Sequence, residues 1–163
     1  MLALMLPFIS AVAHADDALI IWEKPELWAS LSQDEPPPDA VSALTSLHLE
    51  MGRDEYESAA FVISNQSALT RSVALSVSSA HLGITLRKGV WVTTYASGSI
   101  NDALSRIDDH TVAVEPGESL EIWLTISAVG ADAGTHDAEI AVASAGLETH
   151  TIELAVTVHD VTL

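Results

Sequence analysis

Hydrophobic and polar residues alternate with a period of two along most of this chain. In the clearest run, residues 120–126, every second residue is Leu or Ile, and the residues between them are Glu121, Trp123 and Thr125. Such alternation is typical of a β-strand with one face towards a core. The Pro116-Gly117 pair before this run predicts a type II turn, in which Pro fixes φ and Gly takes a positive φ.

The same alternation recurs along the chain and predicts about nine short strands separated by Gly, Pro, Asn or Asp. We place them at 18–24, 47–51, 56–65, 71–79, 90–97, 107–114, 120–126, 137–142 and 151–158, with a polar loop before the strand at 107–114. The strands at 56–65 and 71–79 are expected to have one face in water. Residues 26–32 are the single helical candidate, and the stretch QDEPPPDA at 33–40 is expected to be a stiff acidic connector because its prolines lack backbone donors.

Many short strands without a long amphipathic helix indicate an all-β fold, closed as a sandwich or a barrel. One-sided alternation favours two sheets that face each other, so we predict an immunoglobulin-like antiparallel β-sandwich of about nine strands. The 163 residues fit one domain, which we place at 16–163. A chain of this length can bury a core without metals or disulfides.

Composition narrows the classes of partner and of chemistry. The chain has 23 acidic and six basic residues, a formal net charge of −17 and no cysteine. Such acidity disfavours nucleic acid as a partner, and the missing cysteines exclude disulfides, thiolate metal sites and cysteine nucleophiles.

The charge is also unevenly distributed, since residues 58–101 contain no acid and three bases, Arg71, Arg87 and Lys88. Either buried strands simply lack charge there, or part of the segment docks on another domain, where a desolvated carboxylate would be costly.

The first 15 residues, MLALMLPFISAVAHA, predict a signal peptide, because an apolar run ends in the small-x-small pattern Ala13-His14-Ala15. A basic residue near the start is missing, which leaves open a start further upstream or a structural role for the run. The run is too short for a membrane span. We therefore expect a mature protein from about Asp16 that is extracytoplasmic, either periplasmic or secreted.

No catalytic or metal-binding motif is recognisable in the sequence. The acidic clusters at 54–57 and 108–109 fall in polar turns and are expected to be solvated rather than paired across a cleft. A loose metal site near His110 or His136 is the weaker alternative to ordinary surface histidines. We expect no catalytic residue, no cofactor and no metal. Asn65-Gln66-Ser67 is a glycosylation sequon, which matters only in a eukaryotic secretory route.

Aromatic side chains are the remaining candidates for binding. They are Trp22, Trp28, Trp91, Tyr95 and Trp123, of which Trp123, Trp91 and Tyr95 are proposed as domain-interface or sugar-stacking residues. Trp123 lies on the polar side of its strand, where its ring needs a partner. It is expected either to pack under a neighbouring loop or domain or to bind sugar.

Four stretches, in order, resemble a known family. They are GRDEYESAAFVISN (52–65), NDALSRIDDHTVAVEPGESLEIWLTI (101–126), AGTHDAEIAVAS (133–144) and TIELAVTVHDVTL (151–163). Together they resemble the amino-terminal β-sandwich that precedes the catalytic barrel in glycoside hydrolase family 123-like proteins. His136 departs from the family pattern, which favours Tyr there.

The resemblance implies a non-catalytic accessory domain of an exported glycoside hydrolase-like protein. In that family the catalytic acid and its polarising carboxylate are on the barrel, so no residue of this chain inherits either role. The expected partner is a catalytic barrel of the same parent protein, absent from this chain, which the sandwich would buttress. The alternative is a free-standing surface or carbohydrate-binding module that uses exposed aromatics.

Overall fold

The chain folds as a β-sandwich of two five-stranded sheets. The computed structural model describes residues 19–24, 26–37, 43–95 and 98–161, and the predicted signal peptide lies outside them. The first sheet has the order β1-β3-β8-β5-β6 and the second β2-β10-β9-β4-β7. The strands are β1 (Leu19–Glu23), β2 (Ser46–Gly52), β3 (Tyr56–Asn65), β4 (Arg71–Ser79), β5 (Gly83–Thr94), β6 (Gly98–Arg106), β7 (Thr111–Val114), β8 (Ser119–Ser127), β9 (Gly134–Ser144) and β10 (His150–His159).

Strand pairing is antiparallel in both sheets except for β2 and β10, which run parallel with Leu47 opposite Leu154. The chain crosses from the first sheet to the second between β1 and β2. The all-β, immunoglobulin-like sandwich predicted from the alternation is therefore confirmed, with one parallel pair that alternation alone does not reveal.

The core lies between the sheets and consists of the inward aliphatic residues that the period of two predicts. Phe61, Ile122, Leu124, Ile140 and Ile152 are each fully buried there. At about 1.5–3 kcal/mol for each fully buried side chain of this size, these alternate positions supply the main stabilisation of the fold.

Three local predictions were wrong. Residues 98–106, expected to be a polar loop, form the edge strand β6, whose Ser, Asn and Asp residues show no clear apolar rhythm. The strand predicted at 107–114 is a 3-10 turn at Asp108–His110 followed by the short β7. The helical candidate at 26–32 contains turns and bends among its described residues, and no helix.

The turn before β8 has the predicted type II features. Gly117 has a φ of 75°, and the amide of Glu118 donates to the carbonyl of Glu115 over 3.0 Å. In the described part of the chain, no helix is long and apolar enough to cross a membrane.

Candidate functional site

The outer face of the first sheet, which points away from the core, is partly covered by residues 26–37, here called the strap. Leu31 of the strap is 3% exposed and packs with Trp22 and Val62, whose side chains also point outward. The amide of Ser119 donates to the carbonyl of Gln33 over 2.8 Å. The strap therefore closes a second, smaller cluster on the side of the sheet that would otherwise face water.

This arrangement corrects the prediction of one wet face for the strand at 56–65. Residues 59–65 of β3 are buried on both faces, and residues 119–124 of β8 are buried without interruption. The physical reason is that the strap lies over the outward side chains of β3 and β8. Outward side chains of the flanking strands β1 and β5 shield them from the sides. The strand at 71–79 does expose alternate residues, as predicted.

A chain of hydrogen bonds satisfies the uncharged polar groups under the strap. The indole N–H of Trp22 donates to Ser64 Oγ over 2.8 Å, and Ser64 is hydrogen-bonded to the hydroxyl of Ser119. Ser119 Oγ in turn donates to the carbonyl of Glu35 over 2.6 Å. Burial of these hydroxyls is tolerable because each has a partner.

A buried ion pair lies beside this chain of hydrogen bonds. Lys24 Nζ is 2.7 Å from Glu121 Oε1, and the two side chains are only 6% and 4% exposed. Lys24 also donates to the carbonyl of Leu27 over 3.1 Å, and Asn101 Nδ2 donates to Glu121 Oε2 over 2.9 Å. Both charges are thus paired and further hydrogen-bonded, which is the condition for burying them at acceptable cost.

Gly89 makes room for the amide that completes this network. A Cβ built on Gly89 would overlap the side-chain amide of Asn101. A residue with a side chain at position 89 would therefore push Asn101 away from Glu121. Asn101 Oδ1 is itself buried and has no hydrogen-bond partner among the described atoms.

The three aromatic residues proposed as site residues lie in different environments. Trp123 is on the outer face as expected, but only 7% of it is exposed, and the ring of Trp28 lies over it with centroids 5.0 Å apart and planes tilted by 58°. Trp91 is half-buried and donates to Glu118 Oε1 over 3.1 Å. Tyr95, just after β5, is fully exposed. Trp28 is 84% exposed, although its ring lies against that of Trp123.

The strand register places two arginines beside the aromatic pair. Trp123 of β8 lies opposite Arg87 of β5, and Arg87 lies opposite Arg106 of β6. Directly opposed residues of neighbouring strands share a face of the sheet, so these three side chains form one row on the outer face. Sequence reasoning missed this row because β6 was taken for a loop, which left Arg106 without a place.

The acidic cluster before β3 serves the fold rather than a cleft. Glu55 Oε2 accepts from the amide of Gly52, and Asp54 Oδ1 accepts from the amide of Gly130 over 3.1 Å. Asp54 has a φ of 59°, which an Asp tolerates better than most residues. These carboxylates therefore fix the loop between β2 and β3.

Other acidic residues lie on the outer face of the second sheet. Glu139 and Glu153 are directly opposite each other on β9 and β10, and both are exposed, as is Asp137 nearby. They line a shallow, open depression of about 470 Å³ together with His48. The described residues include no group of three or more His, Asp or Glu side chains arranged to hold a metal ion.

The sequon at Asn65 is structural in this fold. Asn65 is fully buried, and its Nδ2 donates to the carbonyls of Leu69 and Val114 over 2.8 and 2.9 Å. Its Oδ1 accepts from the amide and the hydroxyl of Ser67. A glycan on Nδ2 would have to break these contacts.

Comparison with solved structures finds this fold in several proteins. A family 123 glycoside hydrolase from Clostridium perfringens matches 74% of this chain with a TM-score of 0.60 and 14% identity, and the match covers 24% of that protein. This chain therefore spans about a quarter of the length of that hydrolase. At this identity the likeness shows the fold alone.

Two further structures have lower scores. The ASH/PapD-like domain 7 of human CEP192 matches 99% of this chain and 98% of its own length, with a TM-score of 0.49 and 7% identity. A FixG-related protein from Vibrio parahaemolyticus matches 64% of this chain and 79% of its own length, with a TM-score of 0.41 and 12% identity. No family model and no curated protein sequence matches the chain.

Proposed function

We propose that this sandwich is a non-catalytic domain that buttresses the catalytic barrel of an exported glycoside hydrolase-like protein. The observation that carries the proposal is a set of exposed apolar side chains at one end of the sandwich. They are Tyr56, Val129 and Val161, at 66%, 57% and 54% exposure, here called the apolar end. Exposed apolar groups that gather on a rigid surface are typical of contacts with another protein surface.

Backbone hydrogen bonds hold the segments of the apolar end together. The amide of Arg53 donates to the carbonyl of Val161 over 2.8 Å. The amide of Ala128 donates to the carbonyl of Glu55 over 3.0 Å. The bond from Gly130 to Asp54 adds a third connection. A surface fixed in this way loses little conformational entropy when a partner docks on it.

The position of the apolar end favours a partner in the same polypeptide. Val161, the last described residue, belongs to this end, so a domain joined after residue 163 would begin beside it. A short connection keeps the local concentration of such a partner high, and a modest apolar surface is then enough for docking.

The glycoside hydrolase part of the proposal is supported by two further points. The four ordered stretches of sequence resemble the sandwich that precedes a family 123-like barrel, and the fold agrees with part of a solved member of that family. The carboxylates of Asp54 and Glu55 bond to backbone amides, which is compatible with a scaffold.

The test begins with the coding sequence that follows codon 163. We expect it to encode a glycosidase-like barrel in frame. In a protein extended by that barrel, amide hydrogen exchange at 128–130 should be slower than in the present chain. A stop codon after residue 163 with no barrel encoded nearby, or unchanged exchange in the extended protein, would contradict the proposal.

A matched pair of variants separates docking from folding. Val129→Asp should weaken protection in the extended protein, whereas Leu69→Asp should not, because Leu69 is similarly exposed, at 68%, in the loop at the opposite end. In the present chain each change should alter stability by no more than about 0.5 kcal/mol, as is usual for exposed sites. Equal effects of both variants in the extended protein would exclude the apolar end as the contact.

Export has its own test. The mature protein isolated from its source should begin near Asp16, and a protein that retains residues 1–15 would contradict export.

A further inference from the structure

A row of aromatic and cationic side chains runs across the outer face of the first sheet, from Trp28 of the strap towards the edge strand β6. It consists of Trp28, Trp123, Arg87 and Arg106, here called the cation–aromatic row. The register fixes the last three, because Trp123 is opposite Arg87 and Arg87 is opposite Arg106. Trp28 joins the row through its contact with the ring of Trp123.

The charge of this row is unusual in such an acidic protein. The chain has only six basic residues and a net charge of −17, yet two of its arginines face each other across β5 and β6. Like charges directly opposite on a sheet are destabilising. Among the described side chains, neither arginine forms an ion pair with an acid. A ligand carrying negative charge would relieve this repulsion.

We infer that the cation–aromatic row binds a saccharide that carries a carboxylate, such as a short chain of hexuronate units. Trp28 would stack on the apolar face of a sugar ring, and Arg87 and Arg106 would hold the carboxylate through paired N–H donors. This inference goes beyond the proposed function and does not depend on it.

The ion pair of Lys24 and Glu121 helps to fix the turn that carries Trp28. Lys24, held by Glu121, donates to the carbonyl of Leu27, and the amide of Ala29 donates to the carbonyl of Glu26 over 3.1 Å. The turn that carries Trp28 is thus closed by its own backbone bond and tied to the sheet through Lys24. A stacking ring that is already in place saves the ordering cost of binding.

The surface around the row fits a sugar better than a protein. A stable protein interface covers roughly 800 Å² per partner and has an apolar centre. On this face, apart from Tyr95 after the end of β5, the exposed large hydrophobic residues among those described are Trp28 and part of Leu104, at 38% exposure. From β8 to β6 the row spans two strand spacings, about 10 Å, which is suited to a short oligosaccharide.

The net charge of the domain selects among acidic sugars. A densely sulfated chain would be repelled by the many carboxylates on the rest of the surface. A hexuronate carries one charge per ring, and a short chain can place it between the two arginines. The planar carboxylate also matches the fork of an arginine.

The experiment titrates the folded chain with a galacturonic acid tetramer and with a neutral galactose tetramer at low salt. Calorimetry gives the affinity, and the indole N–H signals in NMR report each Trp, with Trp28 assigned from Trp28→Phe. We expect the acidic tetramer to bind and to shift the Trp28 signal, and the neutral tetramer to bind at least about tenfold more weakly, as for loss of a charged hydrogen bond.

Variants with matched controls locate the site. Arg87→Gln and Arg106→Gln should each weaken binding of the acidic tetramer about tenfold. Arg71→Gln, which changes the net charge equally but lies on β4 in the second sheet, should leave it unchanged. Trp28→Ala should abolish measurable binding. Tyr95→Ala, which removes an exposed ring eight residues beyond Arg87 on the chain, should not.

Each contrary result would overturn the inference. Absence of binding by the acidic tetramer would remove the site. Equal binding of both tetramers would remove the role of the carboxylate. Equal losses in Arg71→Gln and Arg87→Gln would show general charge attraction, and binding of a sulfated tetramer but not the carboxylated one would reject the assigned ligand. None of these results bears on the reading frame or the hydrogen exchange that test the proposed function.

Discussion

The outer faces of the two sheets are built in opposite ways. On the second sheet, β9 and β10 expose alternate residues, and acids such as Asp137, Glu139 and Glu153 point into water. On the first sheet, residues 59–65 of β3 and 119–124 of β8 are buried on both faces, with two serine hydroxyls under the strap and an ion pair beside them. The difference shows that a polar residue on the outer side of a strand is wet only if nothing else lies over it.

The covered face remains polar because its charges and hydroxyls satisfy one another, although Asn101 Oδ1 has no partner among the described atoms. Glu121 is 3% exposed, and both oxygens of its carboxylate have partners, Lys24 and Asn101. A buried polar group without partners would cost several kcal/mol, whereas a satisfied one costs much less. The covered face therefore requires partners for its buried charges and hydroxyls, and the open second sheet requires none.

Breaking the ion pair should produce the largest contrast between the faces. Glu121→Gln leaves the charge of Lys24 buried without a counter-charge, so we expect a loss of about 3–5 kcal/mol in the free energy of unfolding. Glu153→Gln, on the open face, should change it by less than about 0.5 kcal/mol. Urea unfolding followed by circular dichroism measures both.

A double variant checks the cause of that loss. Replacing both charges, as Lys24→Met with Glu121→Leu, should recover most of the stability, because no unpaired charge then remains. If Glu121→Gln costs no more than Glu153→Gln, the two faces do not differ in the way described.

Loosening the strap should have the next largest effect. Leu31→Ala removes the strap's buried side chain from the cluster with Trp22 and Val62, and we expect a cost of about 2–3 kcal/mol. Hydrogen exchange at Ser119, whose amide bonds to Gln33, should accelerate. Leu69→Ala is the matched control at an exposed site, and an equal cost for both would mean that the strap does not seal the face.

The two glycines of β5 sharpen the comparison within one strand. Gly89→Ala should cost about 1–3 kcal/mol, as overpacking does, because the new methyl group displaces Asn101 from Glu121. Gly83→Ala should be neutral or stabilising by up to about 1 kcal/mol, since its Cβ would meet Ser127 at an ordinary 3.4 Å. Thermal unfolding distinguishes the two, and similar values for both would contradict the tight fit at Gly89.

Alternation predicts the core and the sandwich because inward apolar residues recur at every second position, whether or not the outer face of the sheet is covered. It also identifies the correct side of β8 for Trp123. It cannot predict that Trp28, about a hundred residues earlier in the chain, lies over that ring, because the strap has no periodic pattern of its own.

The candidate site was less predictable for a related reason. Arg87 is visible in the sequence as one of few bases between residues 58 and 101. Its neighbours Trp123 and Arg106 come from β8 and β6, and only the pairing of strands brings them into one row. An edge strand such as β6 needs few apolar residues, so its sequence resembles that of a loop.

Reversing one charge on the open face should give the smallest effect, and it should be favourable. Glu139 and Glu153 are directly opposite, and Glu153→Lys replaces a repulsion with an attraction worth about 0.5 kcal/mol. Asp137→Lys changes the net charge equally but faces the uncharged Ala155, so it should stabilise less.

The salt dependence of stability distinguishes the effect of the opposed pair from the effect of the overall net charge. The advantage of Glu153→Lys over Asp137→Lys should shrink between low salt and about 1 M, where screening acts over roughly 3 Å. Urea unfolding at both ionic strengths measures it. Equal gains from both variants would mean that the net charge, rather than the opposed pair, governs this face. In that case the solvent-exposed face would tolerate each of its acids independently, whereas the covered face requires a specific partner for each of its charges and hydroxyls.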